Sequence, residues 1–322
     1  MQLILSRSKF LILAVLSCIL LIIWNSSSIN NNLDVVRFVP IDIDENSSSN
    51  SASSTVWDSL RSEFKLDHNV QSSRVQAEIR NLLSDPDKLS QILRAAGPYI
   101  YFIHKQTQAR GLPAELALIP FVESEFNPND HSTKGATGLW QLMRGTAHEL
   151  GIKVKAGYDG RRNVIDSTKA ALAYFKDLGN EFKGNWYLAI AAYDCGQAKV
   201  ESVKRRTGSD NYWNLPLPKE TKYYVPRLLA VAEIVQHPQK YGVQLPPISN
   251  EPYFTEVKVT KSVSLPTVAK SSGISLATLT TLNPDYNHGP IAKNGAYSLL
   301  IPVEKETIVK EQLAGKIAAI NQ

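Results

Sequence analysis

Residues 111–128 read Gly-Leu-Pro-Ala-Glu-Leu-Ala-Leu-Ile-Pro-Phe-Val-Glu-Ser-Glu-Phe-Asn-Pro. Seven consecutive uncharged residues, Leu116 to Val122, leave no polar face, so the spacing predicts a helix buried on nearly all sides. Pro113 suits its first turn. Glu123 is attached directly to the end of that apolar run. Burial disfavours a carboxylate, which raises its pKa and suits a general acid. Glu125, two residues on, lies about 200° around a helix and cannot share that face. On these residues alone, Glu123 reads more readily as an ordinary surface acid at a helix end.

On either side of this stretch, from Trp57 to Leu245, apolar residues recur at three- and four-residue spacing. Leu89, Ile92, Leu93 and Ala96 form one face; Thr168, Ala171, Leu172, Phe175 and Leu178 form another, with Asp166 or Ser167 as its expected N-cap. The expectation is a mostly α fold with a small α+β module behind it. The 322 residues are 43% hydrophobic and 20% charged, a globular composition with room for about two domains. The formal charge of +5 comes from scattered basic residues, which argues against a nucleic-acid partner. With only Cys18 and Cys195 and six dispersed histidines, neither a disulfide framework nor a metal site is expected, and no cofactor motif is present.

At the front, Arg7 and Lys9 precede an uncharged run from Phe10 to Trp24. Fifteen helical residues span about 22 Å, short of the ~30 Å hydrocarbon core. Basic residues before the run orient it with the N-terminus inside and the remainder exported. Residues 1–24 thus read as a signal anchor, as a cleaved signal peptide, or, through Val15-Leu-Ser-Cys18, as the site of a lipid anchor on Cys18. Residues 25–56, rich in Ser and Asn, read as a flexible tether.

Several motifs occur in order along the chain. They are Glu123-Ser-Glu-Phe-Asn-Pro128, then Ser132, then Gly135-Ala-Thr-Gly-Leu-Trp-Gln-Leu-Met143, Ala192-Tyr-Asp-Cys-Gly196 and Glu220-Thr-Lys-Tyr-Tyr-Val-Pro226. Leu112-Pro-x-Glu-Leu and Tyr158-Asp-x-Arg-Arg162 accompany them. Together they resemble the lytic transglycosylase family, whose catalytic domain has a lysozyme-like fold. The resemblance implies a catalytic domain at 57–245, with its core about 110–230. It implies peptidoglycan glycan strands as substrate, on the periplasmic side of a bacterial envelope, with the N-terminal segment holding the chain to the membrane.

By that resemblance Glu123 is the single acid/base, cleaving without water to leave a 1,6-anhydro sugar end. Ser132 and Gln141 would hydrogen-bond the glycan or the surroundings of the carboxylate. Met143 would line the cleft, and Tyr193 and Tyr224 would approach the sugar or Glu123. Core packing is the other reading of Trp140, Gln141, Met143, Tyr193 and Tyr224. Gly135 and Gly138 permit tight turns. Asp194-Cys195 stands where the family has Asn-Ser, so a carboxylate replaces an amide. If ionised near Glu123, Asp194 would push its pKa higher or position water for hydrolysis; otherwise it caps the next turn. Cys195 reads as a small buried stand-in for Ser. A lysozyme-type hydrolase and a weakened peptidoglycan-binding protein are the other functions this departure admits.

Pro246-Pro247 marks a boundary. Beyond it, Val257-x-Val259 and Tyr297 to Ile301 read as strands flanking two short helices broken at Gly273. This order at 251–304 resembles a divergent lysin-motif domain in which Lys261-Ser-Val-Ser264 replaces the usual Gly-Asp-Thr. Residues 305–322 read as a terminal helix.

Overall fold

The computed structural model describes residues 54–155, 157–259, 263–286 and 297–319. All lie within one compact unit, Ser51–Gln322. The expected signal or anchor segment and nearly all of the expected tether lie outside the described residues, and so does Lys261. No helix among the described residues is long and apolar enough to cross a membrane.

The larger part is helical. Its elements are α1 (Val56–Ser62), α2 (Ser73–Leu83), α3 (Pro86–Ala95), α4 (Ile100–Gln108), α5 (Ile119–Ser124), α6 (Arg144–Glu149), the hairpin β1 (Val154–Lys155) and β2 (Tyr158–Asp159), α7 (Val164–Glu181), α8 (Trp186–Cys195), α9 (Gln197–Thr207) and α10 (Lys219–Gln236). Both predicted apolar faces are buried, on α3 with Ala96 and on α7. The cap of α7 differs from expectation. Asn163, not Asp166 or Ser167, accepts the Asp166 N–H, while the Ser167 hydroxyl donates back to the Asn163 carbonyl. The apolar face reaches back one turn before Thr168 to the buried Val164, so the helix starts earlier than expected.

Residues 111–128 also fold differently in detail. Pro113 caps a 3₁₀ turn, Ala114–Leu118, and the α-helix starts only at Ile119 with Pro120 in its first turn. Pro120 has no N–H to continue a preceding α-helix, so the segment breaks there. Leu116 to Phe121 are buried as expected.

Helix α10 runs through the core, with Thr221 and Tyr224–Pro226 buried in its first half and Leu228–Val235 buried in its second. Pro246, read as a boundary, is tied to the start of the helical part: the Trp57 indole donates to its carbonyl at 2.8 Å, and the Val56 N–H donates to Ile248.

The rest comprises β3 (Phe254–Val259), α11 (Leu265–Ser272), α12 (Leu276–Leu282), β4 (Tyr297–Pro302) and α13 (Glu306–Ala319). The strands pair antiparallel, Phe254 opposite Pro302 and Val259 opposite Tyr297. Val257, Leu265, Val268, Leu279, Ile301 and, from α13, Val309 form a second apolar cluster. Phe254, Leu282 and Leu300 instead pack on the main core, with the Phe254 ring 5.3 Å from that of Phe102. The Tyr99 hydroxyl also donates to the Thr281 carbonyl at 3.0 Å. Buried Asn283 joins α12 to β4 by exchanging two hydrogen bonds with the Leu300 backbone.

Candidate active site

Glu123 is the penultimate residue of α5. The helix ends abruptly behind it: Glu125 and Phe126 both adopt left-handed backbone (φ 53° and 59°), a strained pair of non-glycine positions. The buried Phe126 ring and a hydrogen bond from its N–H to the Pro120 carbonyl hold this turn. The turn sends Glu125 away from Glu123, to an ion pair with Lys88. Ser124 then donates to the Leu139 carbonyl at 2.9 Å, fastening α5 to the 131–142 loop.

That loop is held from below. Arg161, buried, donates from Nη1 to the carbonyls of Gly135 (2.7 Å) and Leu142 (3.1 Å), while its other nitrogens grip Asp159. Gly138 sits at φ +85°, and a Cβ there would lie 2.1 Å from the Arg161 carbonyl, so no other residue fits. The Tyr158-Asp-x-Arg-Arg162 motif is therefore the clamp on the loop, a role no local pattern announces.

Loop, α5, α8 and α10 enclose a cleft of about 810 Å³. Every site residue expected from the sequence lines it: Glu123, Ser132, Gln141, Met143, Tyr193, Asp194 and Tyr224. The Tyr224 hydroxyl donates to Glu123 Oε1 at 2.5 Å. The Tyr193 hydroxyl donates to the Trp140 carbonyl at 2.7 Å, and its ring stacks on Phe175 at 4.4 Å. Ser132 and Gln141 brace the loop: Ser132 Oγ accepts the Ala136 N–H and Gln141 Nε2 donates to the Gly138 carbonyl. Met143 is 46% exposed on the cleft wall, so its core-packing reading fails, whereas Trp140 is fully buried and packs the core.

Burial drives the Glu123 pKa up to about 8, against the hydrogen bond from Tyr224, with the negative charges of Asp194 and Glu220 adding to the rise. The carboxyl is thus largely protonated at neutral pH. The Asp194 pKa is itself raised by burial and by Glu220. The N-cap of the following helix, α9, is Gly196 and no side chain caps it, so the capping reading of Asp194 gives way to a place in the cleft. Cys195 is only half-buried and also lines the cleft; burial raises its pKa, which keeps it a thiol. Glu78, Lys134, Tyr174, Glu220, Tyr223 and Arg227 also line the cleft. Glu220 and Tyr223 lay within a quoted motif; Tyr174 carried no signal apart from being aromatic. Among the described residues, no group of three or more His, Cys, Asp or Glu could hold a metal ion.

A deep helical cleft with one protonated carboxyl in its wall defines a class, and comparison with known proteins names it. Residues 100–216 match the Transglycosylase SLT domain family, and residues 253–316 match the family described as Lytic transglycosylase MltD, LysM-like domain. The chain therefore carries an SLT domain followed by a LysM-like domain.

The relatives make this more particular. The chain is 34% identical over 270 residues to membrane-bound lytic murein transglycosylase D of Escherichia coli K12, covering 82% of this chain and 60% of that protein. It is 32% identical over 141 residues to membrane-bound lytic murein transglycosylase F of Shewanella oneidensis, covering 38% of this chain and 28% of that one. Among solved structures, the 70 kDa soluble lytic transglycosylase of E. coli aligns with TM-score 0.39 and 20% identity over 60% of this chain and 33% of that chain. The chain thus spans about 60% of the length of the first of these relatives.

Proposed function

We propose that the protein is a peptidoglycan lytic transglycosylase, tethered at the periplasmic face of a bacterial membrane through its N-terminal segment. The observation that carries this reading is the Glu123 carboxyl, protonated in the cleft wall under the Tyr224 hydroxyl. Residues 57–245 form the catalytic unit and 251–304 the LysM-like companion.

Glu123 gives its proton to the oxygen joining N-acetylmuramic acid to N-acetylglucosamine, and that bond breaks. The resulting carboxylate accepts the proton of the muramyl 6-hydroxyl as O6 closes on the anomeric carbon. The product is a 1,6-anhydro end, and Glu123 is again protonated. The nucleophile is part of the substrate, so proximity replaces a second enzyme carboxylate. Ser132 and Gln141 face the glycan from the loop they brace. Met143 and Tyr193 shape the wall, Tyr224 orients Glu123, and Asp194 keeps its proton on.

Digestion of purified sacculi followed by mass spectrometry tests this. Anhydro-muramyl ends are expected from the wild type, with a loss of at least ~10³-fold for Glu123→Gln, the scale on which essential acid catalysis fails. Reducing ends would instead make the protein a hydrolase, with Asp194 holding the water. An absence of product would leave a binding protein.

A further inference from the structure

Residues 158–163 are bonded on one side to the catalytic loop and on the other to the LysM-like part. Toward the cleft, Arg161 holds the carbonyls of Gly135 and Leu142, and with them the loop that carries Ser132 and Gln141. Toward the LysM-like part, the Tyr158 ring lies 6.1 Å from that of Tyr286, and the Asn163 amide donates to Asp285 Oδ2 at 2.8 Å. A concavity of about 530 Å³ has all three segments in its wall, Gly135, Arg161 and Asp285 among them.

Asp285 is presented by a turn fixed at both ends. The turn, Pro284–Tyr286, follows Asn283, which is bonded to the Leu300 backbone. At its other end the Tyr286 hydroxyl donates to the Ser298 carbonyl at 2.9 Å. Asp285 is 3% exposed, and a carboxyl that deep is costly unless its hydrogen bonds are made. Burial pushes its pKa up to about 6, against the bond from Asn163. The Asn163 amide is fixed too, because its Oδ1 accepts the Asp166 N–H at the start of α7 while its Nδ2 meets Asp285.

From Asn163 to the loop the bonding is continuous. The Asn163 N–H donates to the Gly160 carbonyl at 3.2 Å, and the Arg162 N–H to the Asp159 carbonyl at 3.0 Å. The Arg161 N–H and guanidinium both donate to the Asp159 carboxylate. The Arg161 carbonyl lies 2.1 Å from where a Cβ on Gly138 would sit, so loop and segment meet without slack. A displacement of Asn163 therefore has a packed, hydrogen-bonded route to the cleft.

We propose that Asp285 is a positioning residue for the catalytic cleft, holding Asn163 and, through it, the Arg161 clamp and the loop that bears Ser132 and Gln141. The LysM-like part thereby contributes to turnover itself. That consequence rests on the glycan-cleaving reading above; the hold on the loop does not.

The test compares full-length Asp285→Ala, Asp285→Asn and Tyr99→Phe with the wild type. Tyr99 also ties the LysM-like part to the helical part, through the Thr281 carbonyl, but by a bond outside the clamp. Amide hydrogen exchange is read at Ser132, Gly138 and Leu142, whose N–H groups bond to the carbonyls of Ala136, Asp130 and Thr137. Asp285→Ala is expected to speed it about tenfold, since local opening is set by the contacts that hold a segment. Asp285→Asn keeps an oxygen for the Asn163 amide and should return exchange to within about twofold of the wild type. Tyr99→Phe should leave it unchanged. On sacculi, kcat of Asp285→Ala should fall about tenfold with KM nearly constant, and recover in Asp285→Asn, as misplaced groups cost most in the transition state. If Asp285→Ala does not fold, Asp285→Leu, of similar bulk and without an acceptor, is read the same way. Loop exchange unchanged in the Ala variant, or raised equally in Tyr99→Phe, overturns the positioning role. Faster exchange with kcat unchanged overturns the contribution to turnover. A wild type that cleaves nothing while exchange responds as expected overturns the glycan-cleaving reading and leaves the hold on the loop standing.

Discussion

Helix α10 brings a tyrosine to one carboxyl, Glu123, and itself supplies another, Glu233, and the two ionise in opposite directions. In the cleft, Glu123 has the Tyr224 hydroxyl as its hydrogen-bond donor, with Asp194 and Glu220 as its charged neighbours. Burial wins, and the proton stays on. Nine residues along the same helix, Glu233 also accepts a tyrosine hydroxyl, from Tyr241 at 3.0 Å. It additionally takes the Lys240 ammonium at 2.8 Å and the His68 ring at 3.3 Å. Burial opposes ionisation there too, yet these donors hold Glu233 below the usual carboxylate range. Depth alone does not keep a carboxyl protonated; the lack of a paired cation does.

Breaking the paired site should cost most in stability. Glu233→Ala removes the acceptor of the Tyr241 hydroxyl and of the exposed Lys240, and leaves the largely buried His68 with Glu115 alone, at 3.6 Å, among the described acids. A loss of about 1–3 kcal/mol is expected in denaturant unfolding. The pH dependence sharpens the contrast. Glu233, with its folded pKa lowered, contributes stability above its unfolded pKa that is lost as pH falls through the folded value. Glu123, with its folded pKa raised from 4.5 to about 8, loses stability as pH climbs between those values. Unfolding of Glu123→Gln should therefore show a gain over the wild type that grows from pH 4.5 to 8 and then levels.

Smaller effects are expected inside the cleft. Tyr224→Phe removes the hydrogen bond that favours the ionised form and frees the Glu123 rotamer. Steady-state kinetics should show kcat falling about 10- to 100-fold, with the alkaline limb of the pH–rate profile moving up. Asp194→Asn removes a negative charge that raises Glu123, so that limb should move down, by less than about one pH unit.

The cleft around Glu123 was far more legible in the sequence than the site around Glu233. Glu123 ends an apolar run, and the residues around it lie in short ordered motifs, because a loop wrapped about one carboxyl must be specified locally. Glu233 offered no such signal. Its partners come from the turn at Lys240–Tyr241 and from His68, 165 residues away along the chain. The Arg161 clamp was visible as a motif but not as a clamp, since its acceptors are backbone carbonyls. Helix faces followed from periodicity on α3 and α7. The break at Pro120 and the cap at Asn163 did not, being decided by single backbone groups. The closure of Trp57 on Pro246 and the packing of Val309 into the second cluster depend on contacts between distant segments, which no local pattern encodes.

Infrared difference spectroscopy across pH 4–10, with Glu123→Gln as the subtraction reference, tests the central claim most directly. A protonated-carboxyl band that vanishes with a midpoint near 8 is the expected result. A midpoint near 4.5 would mean that Glu123 is an ordinary carboxylate at neutral pH, and the acid role would have to be given up.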